Sequence, residues 1–221
     1  MKRILSILSV LLQFTLLAQS NLSIKAGLEM DYKDFDELHV NSNNRNYHFT
    51  NGEAFSSILS LQIGGRFGTD QLFEGGIGLG FGSMFFGYTN GKGLKSETFR
   101  KGIYMEAYTS SSGCFELGIG SQLYTYKMSL DRSFDENYNF GKETGSCTWK
   151  AYGIAWKFLA RVYFGEDERH SLQGFVGVGG ELFKASEFKV DNSKVEFSEG
   201  GYGLTVVHAG ISYALVFNRR R

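Results

Sequence analysis

Cysteine is nearly missing from this 221-residue chain, proline is entirely missing, and there is no net charge. Two cysteines are too few for a disulfide scaffold or a cysteine-built zinc site. The 23 basic and 23 acidic side chains leave no excess for electrostatic nucleic-acid binding, so no nucleic-acid partner is expected. Beyond residue 20 no apolar run resembles a transmembrane helix. What is abundant is glycine, at 29 residues, together with 15% aromatics. Aromatic content of that size excludes an intrinsically disordered chain, which is aromatic-poor.

The first twenty residues stand apart. Met1-Lys2-Arg3 gives a basic start, and Ile4 to Leu17 is apolar apart from a few Ser, Thr and Gln. That stretch is short of the about 20 residues a membrane-spanning helix needs. It ends in Ala18-Gln19-Ser20, with small residues at alternate positions. The pattern reads as a secretory signal peptide over 1–20, cut after Ala18 or Ser20, with one domain over 21–221. No cysteine follows either site, so no lipoprotein anchor is expected.

From residue 22 the period is two. Leu22, Ile24, Ala26, Leu28, Met30 and Tyr32 alternate with Ser23, Lys25, Gly27, Glu29, Asp31 and Lys33. Such alternation is a strand with one apolar and one polar face. Seven further runs follow, with apolar faces built on Phe55–Phe67, Phe73–Phe85, Phe99–Ala107, Phe115–Leu123, Tyr152–Phe164, Leu172–Leu182 and Val207–Phe217. The opposite faces carry glycine and charge: Glu74, Gly76, Gly78, Gly80 and Gly82 in the third run, Gly153, Lys157 and Arg161 in the sixth. The runs are roughly 11 to 16 residues long, beyond the five or six of ordinary soluble strands. The Gly76 to Gly82 alternation has no helix after it and is not a phosphate-binding loop.

Short connections (Gly68 to Leu72, Ser110 to Cys114, Gly165 to Ser171) alternate with mostly longer ones (Asp34 to Glu53, Asn90 to Glu97, Asp131 to Thr148, Ala185 to Gly201). This is the layout of an all-β, eight-stranded, antiparallel up-and-down transmembrane β-barrel, with both termini at the short-turn, periplasmic end. A soluble barrel would present the same rows inverted. Two aromatic rings argue for lipid outside: Phe67, Phe73, Phe115, Phe164 and Phe217 at the short-turn end, and Tyr32, Phe55, Phe85, Phe99 and Tyr152 at the long-loop end. The small, glycine-rich opposite face suits a narrow interior better than a solvated surface. Cys114 in a short turn and Cys147 at the long-loop rim are expected to remain unbridged, because a strand's length separates them.

In topology the mature chain resembles small eight-stranded outer-membrane barrels of the OmpA/OmpX kind, the outer membrane protein beta-barrel domain families of Gram-negative bacteria. The most specific motif is terminal: His208-Ala-Gly210-Ile-Ser-Tyr213-Ala-Leu215-Val-Phe217 is similar to the assembly signal of such barrels. The resemblance implies that His208, Gly210, Tyr213, Leu215 and Phe217 are read by the barrel assembly machinery, and that outer-membrane lipid surrounds the protein. Asn218-Arg219-Arg220-Arg221 follows the Phe, where many members stop. PorT-like barrels of secretion systems are also similar in size and topology.

Counting up from the short turns, the inward face offers Lys25, Arg66 and Arg161 with Glu74, Glu106 and Glu116. Next come Glu29, Lys157 and Gln122, then Arg100 and Lys33 with Asp31 and Glu181. Charge inside low-dielectric walls is costly unless paired, so balance at each level predicts a salt-bridge plug rather than an ion path. No cofactor or metal is expected. His39 and His48, near Asp34, Asp36, Glu37 and Ser42, form the one catalytic constellation to consider, as a hydrolytic triad; surface histidines are the plainer reading. His208 is expected to point inward as a hydrogen-bonded lumenal histidine. Between Ser186 and Ser198, Phe188 and Val190 keep the outward parity of the seventh run, and Val195 and Phe197 that of the eighth, around the turn formers Asp191-Asn192-Ser193. This predicts a hairpin standing above the membrane whose apolar residues contact an envelope or extracellular partner, or else pack on neighbouring loops. A structural or interaction barrel is therefore expected; the alternatives are a lipid-modifying barrel enzyme or a narrow small-solute transporter.

Overall fold

The computed structural model describes residues 21–42, 45–67, 72–89, 92–109, 114–133, 144–165, 169–198 and 202–217; the expected signal peptide and the arginine tail lie outside them. The elements are β1 (Asn21–Ser42), β2 (Arg45–Phe67), β3 (Phe73–Thr89), β4 (Lys92–Tyr108), β5 (Phe115–Ser133), β6 (Thr144–Phe164), β7 (His170–Val190), β8 (Ser193–Lys194) and β9 (Tyr202–Val216). Consecutive long strands pair antiparallel from β1 to β7, β7 pairs with β9, and β9 pairs with β1. The result is a closed antiparallel barrel of eight long strands, with β8 attached to the end of β7. Closure gives every wall strand two neighbours, the arrangement a strand needs where no water can satisfy its backbone.

The wall's outer face is apolar over its lower two thirds. Leu59 is 67% exposed, Phe158 70% and Trp156 61%, and Ile77, Ile103, Ile119 and Val176 stand beside them. Phe67 stacks on Phe73 at the short-turn end, with ring centroids 6.0 Å apart, while Tyr32 and Phe55 meet at 5.0 Å at the other.

The strands are longer than alternation alone indicates, 22 residues in β1 and 23 in β2, because most of the first long connection is a hairpin continuing them. Its paired residues run up to Ser42 opposite Arg45. The same happens where β5 and β6 continue to Ser133 opposite Thr144. Above the apolar belt the wall turns inside out: Lys127, Ser129 and Asp131 face outward on β5, while Met128 and Leu130 are buried within. β5 and β6 achieve this with unbroken parity. In β1 and β2, register shifts between Phe35 and His39 place an extra residue in each strand. An added residue reverses side-chain parity, so Leu38, Val40, Tyr47 and Phe49 point inward. With Met84, Phe86, Cys147, Trp149, Ala151, Phe183, Ala185 and Phe188 they form one apolar core that fills the upper barrel.

One seam is shorter than the rest. The β4–β5 ladder runs from Tyr108 opposite Gly118 only to Lys101 opposite Thr125; above it Ser129 N donates to Ser96 Oγ at 3.1 Å.

Inward glycines make room for rings on the paired strand. Tyr124 lies over Gly153, Tyr108 over Gly118 and Phe175 over Gly210, each opposite its glycine in register. A methyl at Gly153 would overlap the Tyr124 ring, whose hydroxyl donates to Glu181 at 2.7 Å. Gly153→Ala should therefore cost roughly 1–3 kcal/mol in urea unfolding, as over-packing does. Gly174→Ala, where an added carbon meets nothing within 4 Å, should change stability by no more than about 0.5 kcal/mol. Equal midpoints for the two variants would mean that the ring does not sit on Gly153.

Candidate functional site

Below the apolar core the lumen holds a continuous network of buried charge, built by inward positions at matching heights on every long strand. Lowest, Lys25 Nζ is 2.7 Å from Glu74 and also bonds Glu106. Arg161, fully buried on β6, reaches Glu74 at 2.9 Å, Glu106 at 3.4 Å and Gln173 at 3.0 Å. Arg66 grips Glu116 with both terminal nitrogens, at 3.3 and 3.0 Å, and donates to Tyr163 Oη at 2.6 Å.

One level up, Lys157 donates to Gln122 Oε1 at 2.6 Å and lies 3.7 Å from Glu29. Arg100 joins this level to the next by bonding both Glu29 and, at 3.2 Å, Asp31. Highest, His208 Nδ1 is 2.7 Å from Asp31 Oδ1, and Lys33 is 2.8 Å from Glu181, which also accepts the hydroxyls of Tyr124 and Tyr126 at 2.7 Å each. Cations also rest on ring faces, Arg161 over Tyr108 at 4.3 Å and Lys157 over Phe175 at 4.1 Å. Every one of these lysines and arginines has a carboxylate within 4 Å. The arrangement offsets the cost of burying ions with partners held rigidly by the wall.

Lys25, Glu29, Arg66, Glu106, Lys157, Arg161 and Glu181 are thus all in this network. The sequence reading missed the tyrosine hydroxyls, Tyr104, Tyr108, Tyr124, Tyr126 and Tyr163, that bind its carboxylates and arginines; the signal was available, since all five share the inward parity of the charges beside them.

His39 and His48 lie in strands rather than in a loop, directly opposite each other on β1 and β2, with ring centroids 5.8 Å apart. Ser42 Oγ donates to the Glu196 carbonyl at 2.6 Å, so its hydroxyl is turned to the backbone. Asp36 and Glu37 have side chains outside those described. Among the described residues no group of three metal-ligating side chains occurs. In the terminal motif, His208 is buried and Gly210 faces inward under Phe175, while Tyr213, Leu215 and Phe217 face outward. Cys114 is exposed beside the short-turn end, Cys147 is buried in the upper core, and neither is in a disulfide.

The expected apolar hairpin surface is corrected by a bulge. Thr148 pairs with Glu187 and Trp149 with Ala185, which leaves Ser186 as the extra residue on β7. From there parity reverses. Phe188 points inward at 1% exposure, packed against Tyr47 at 5.0 Å and Phe49 at 6.1 Å. Val190, Val195 and Phe197 are half-buried against the same core. The hairpin itself is present: Val190 pairs with Ser193 across Asp191 and Asn192, whose φ values of 47° and 66° suit a two-residue turn. Its outer face is charged, with Glu187 bonded by Lys194 and Lys189, which hold that carboxyl below the ordinary glutamate range. Beyond the turn, Ser198 bridges to Asn41 of β1.

No family profile and no curated protein sequence matches the chain. Among solved structures it is similar to Neisserial surface protein A, with TM-score 0.47 and 10% identity over 88% of this chain and 96% of that one. The outer membrane protease OmpT of Escherichia coli gives 0.45 and 11%, over 89% and 97%. The translocator domain of the autotransporter NalP of Neisseria meningitidis gives 0.39 and 12%, over 97% and 95%. These likenesses assign this chain no activity.

Proposed function

We propose that the protein is an integral outer-membrane barrel with a lumen plugged by paired charges, acting as a structural or interaction protein through its long-loop end. The observation that carries this reading is the exposed apolar belt, bounded by two aromatic rings and encircling the wall. Monomeric soluble proteins seldom expose contiguous apolar patches beyond a few hundred Å², and lipid is the solvent such a belt matches. Support for the plug comes from the stacked ion pairs at three levels and the apolar core above them. Commitment of the lumenal charged side chains to one another supports a non-enzymatic role within this reading.

After cell fractionation the protein should sit in the outer membrane and migrate faster in unheated than in boiled gel samples. In planar bilayers it should carry no stable conductance. Recovery in a soluble fraction without heat-dependent mobility would overturn the membrane reading, and stable conductance would overturn the plug.

A further inference from the structure

The short seam between β4 and β5 is also where the outer face stops being apolar. On β4, Thr109 N donates to Leu117 O across the seam and Tyr108 N donates to Leu72 O on the opposite side. Backbone groups alternate in direction along a strand, so the odd-numbered residues of β4 turn their N–H and C=O to β5. The odd-numbered residues of β5 face β4 in the same way, Leu117 low down and Ser129 above. The ladder stops at Lys101 opposite Thr125. Above it, among the described residues, Glu97, Phe99 and Lys127 direct backbone groups into the seam without a ladder partner, and the bond from Ser129 N to Ser96 Oγ is the one that spans it. On either side the sheet is intact. β3 and β4 pair from Gly80 opposite Arg100 to Phe86 opposite Leu94, and β5 and β6 from Tyr126 opposite Ala151 to Ser133 opposite Thr144.

Two outward charges of β4 stand at belt height. Lys101 is level with Leu79 and Leu61; Glu97 is level with Ser83 and Ser57, one row below Phe85 and Phe55. With Thr125, Lys127 and Ser129 across the seam they form a polar strip that cuts into the belt along the line where the ladder is missing. Both signs are present, so the strip selects no ion. Water following it reaches backbone groups that lipid could not satisfy. Behind the seam the lining is apolar. The register of the ladder, carried upward, sets Thr98 against Met128, and Met128 is opposite Trp149 on β6. Thr98 Oγ1 and Trp149 Nε1 are both buried without a hydrogen-bond partner, which disfavours the closed state. Met84, opposite Ser96, completes this lining with Met128; methionine repacks readily around a guest.

We propose that the wall opens sideways between β4 and β5 above Lys101 and Thr125, and that the opening admits an acyl chain of a lipid in the adjoining leaflet to the upper core, against Met84, Met128 and Trp149. The inference rests on the membrane reading above, which puts Phe81, Phe85 and Phe99 beside the opening in contact with lipid. Opening gives up the bond from Ser129 to Ser96, whereas parting β3 from β4 or β5 from β6 at that height breaks a continuous ladder. The ester carbonyl at the head of such a chain is an acceptor of the kind that Thr98 Oγ1 and Trp149 Nε1 lack. Below Lys101 the ladder is complete, so the network around Lys25, Arg66 and Arg161 stays closed.

The test uses the full barrel carrying Trp156→Phe, which leaves Trp149 as its sole tryptophan, folded into phosphatidylcholine vesicles with chains brominated at mid-length. Trp149 fluorescence should be quenched relative to plain vesicles, and Ser96→Ala should deepen the loss by removing the bond across the seam. Glu97→Cys/Ser129→Cys, joined by a short bismaleimide in a Cys114→Ser background, should abolish the quenching. The same staple at Lys127→Cys/Lys150→Cys, across the intact β5–β6 ladder, should leave it unchanged. Equal fluorescence in brominated and plain vesicles would overturn the proposal, as would quenching that survives the β4–β5 staple. Hydrogen exchange gives a second measure. The amides of Glu97, Phe99 and Lys127 should exchange more than about tenfold faster than those of Thr98 and Met128, which pair with Gly82 and Trp149. Equal protection would overturn the proposal too. Protein that keeps its heat-dependent mobility while failing these tests leaves the membrane reading standing; loss of that mobility would count against the membrane reading itself.

Discussion

Arg161→Met should lower the unfolding free energy of the detergent-solubilised barrel by roughly 3–5 kcal/mol, the range for removing one partner of a buried ion pair. Arg161 is fully buried and holds two carboxylates at once, Glu74 and Glu106, with Gln173, Tyr108 and Tyr163 around the same guanidinium. Without it each of those carboxylates keeps its ion pair to Lys25. Arg161→Lys restores the charge but not the fork of donors, and should recover part of the loss. The half-buried Lys189 on the outer face, paired with Glu187 at 3.3 Å, gives the comparison: Lys189→Met should cost no more than about 1 kcal/mol. Urea unfolding followed by tryptophan fluorescence and by gel mobility measures all three. Equal costs at positions 161 and 189 would mean that the lumen is hydrated and its ions are individually solvated.

Phe188→Ala should cost a comparable roughly 3–5 kcal/mol, the range for truncating a buried phenylalanine to alanine. Its ring contacts Tyr47, Phe49 and Phe197 inside the upper core, so the loss is a cavity at the top of the barrel rather than a smoother surface. Phe197→Ala, half-buried at the edge of the same core, should cost less. If Phe188→Ala leaves the urea midpoint unchanged, the bulge at Ser186 is misplaced and the ring faces outward. The hairpin would then again be a candidate for partner contact.

The two variants also separate what alternation reveals from what it hides. β6 holds one parity from Thr144 to Phe164 without a break, and there the inward residues, Arg161 and Lys157 among them, are legible directly. In β7 the letters continue alternating through Phe188 and Val190, yet one extra backbone residue at Ser186 sends Phe188 to the other face. A bulge is a matter of which partner residue sits opposite, and that information belongs to the pairing of two strands, not to either alone. The hairpin formed by the ends of β1 and β2 was hidden for a related reason. Its outer face is polar and its inner face apolar, the reverse of the belt below, so the run looks like a loop to a pattern tuned to lipid. The charge network was legible because its members share inward parity and each level is neutral. Its cross-links were not, since Arg100 joins two levels and the tyrosine hydroxyls complete both ends.

With the belt embedded in lipid as proposed, the reversal of the wall has a consequence for how the barrel floats. A protein with apolar strands from end to end could ride higher or lower in its bilayer at little cost. Here the strands change solvent partway along, from the ring of Tyr32, Phe55 and Tyr152 to Asp34, Glu53, Lys127 and Lys150 just above it. Sinking would carry these ions into hydrocarbon, where a lysine on the outer wall costs about 2–4 kcal/mol at the midplane and little at the interface. Rising would lift Leu59, Trp156 and Phe158 into water. Both displacements are opposed on two opposite sides of the cylinder at once, so its waterline is a property of the strands themselves.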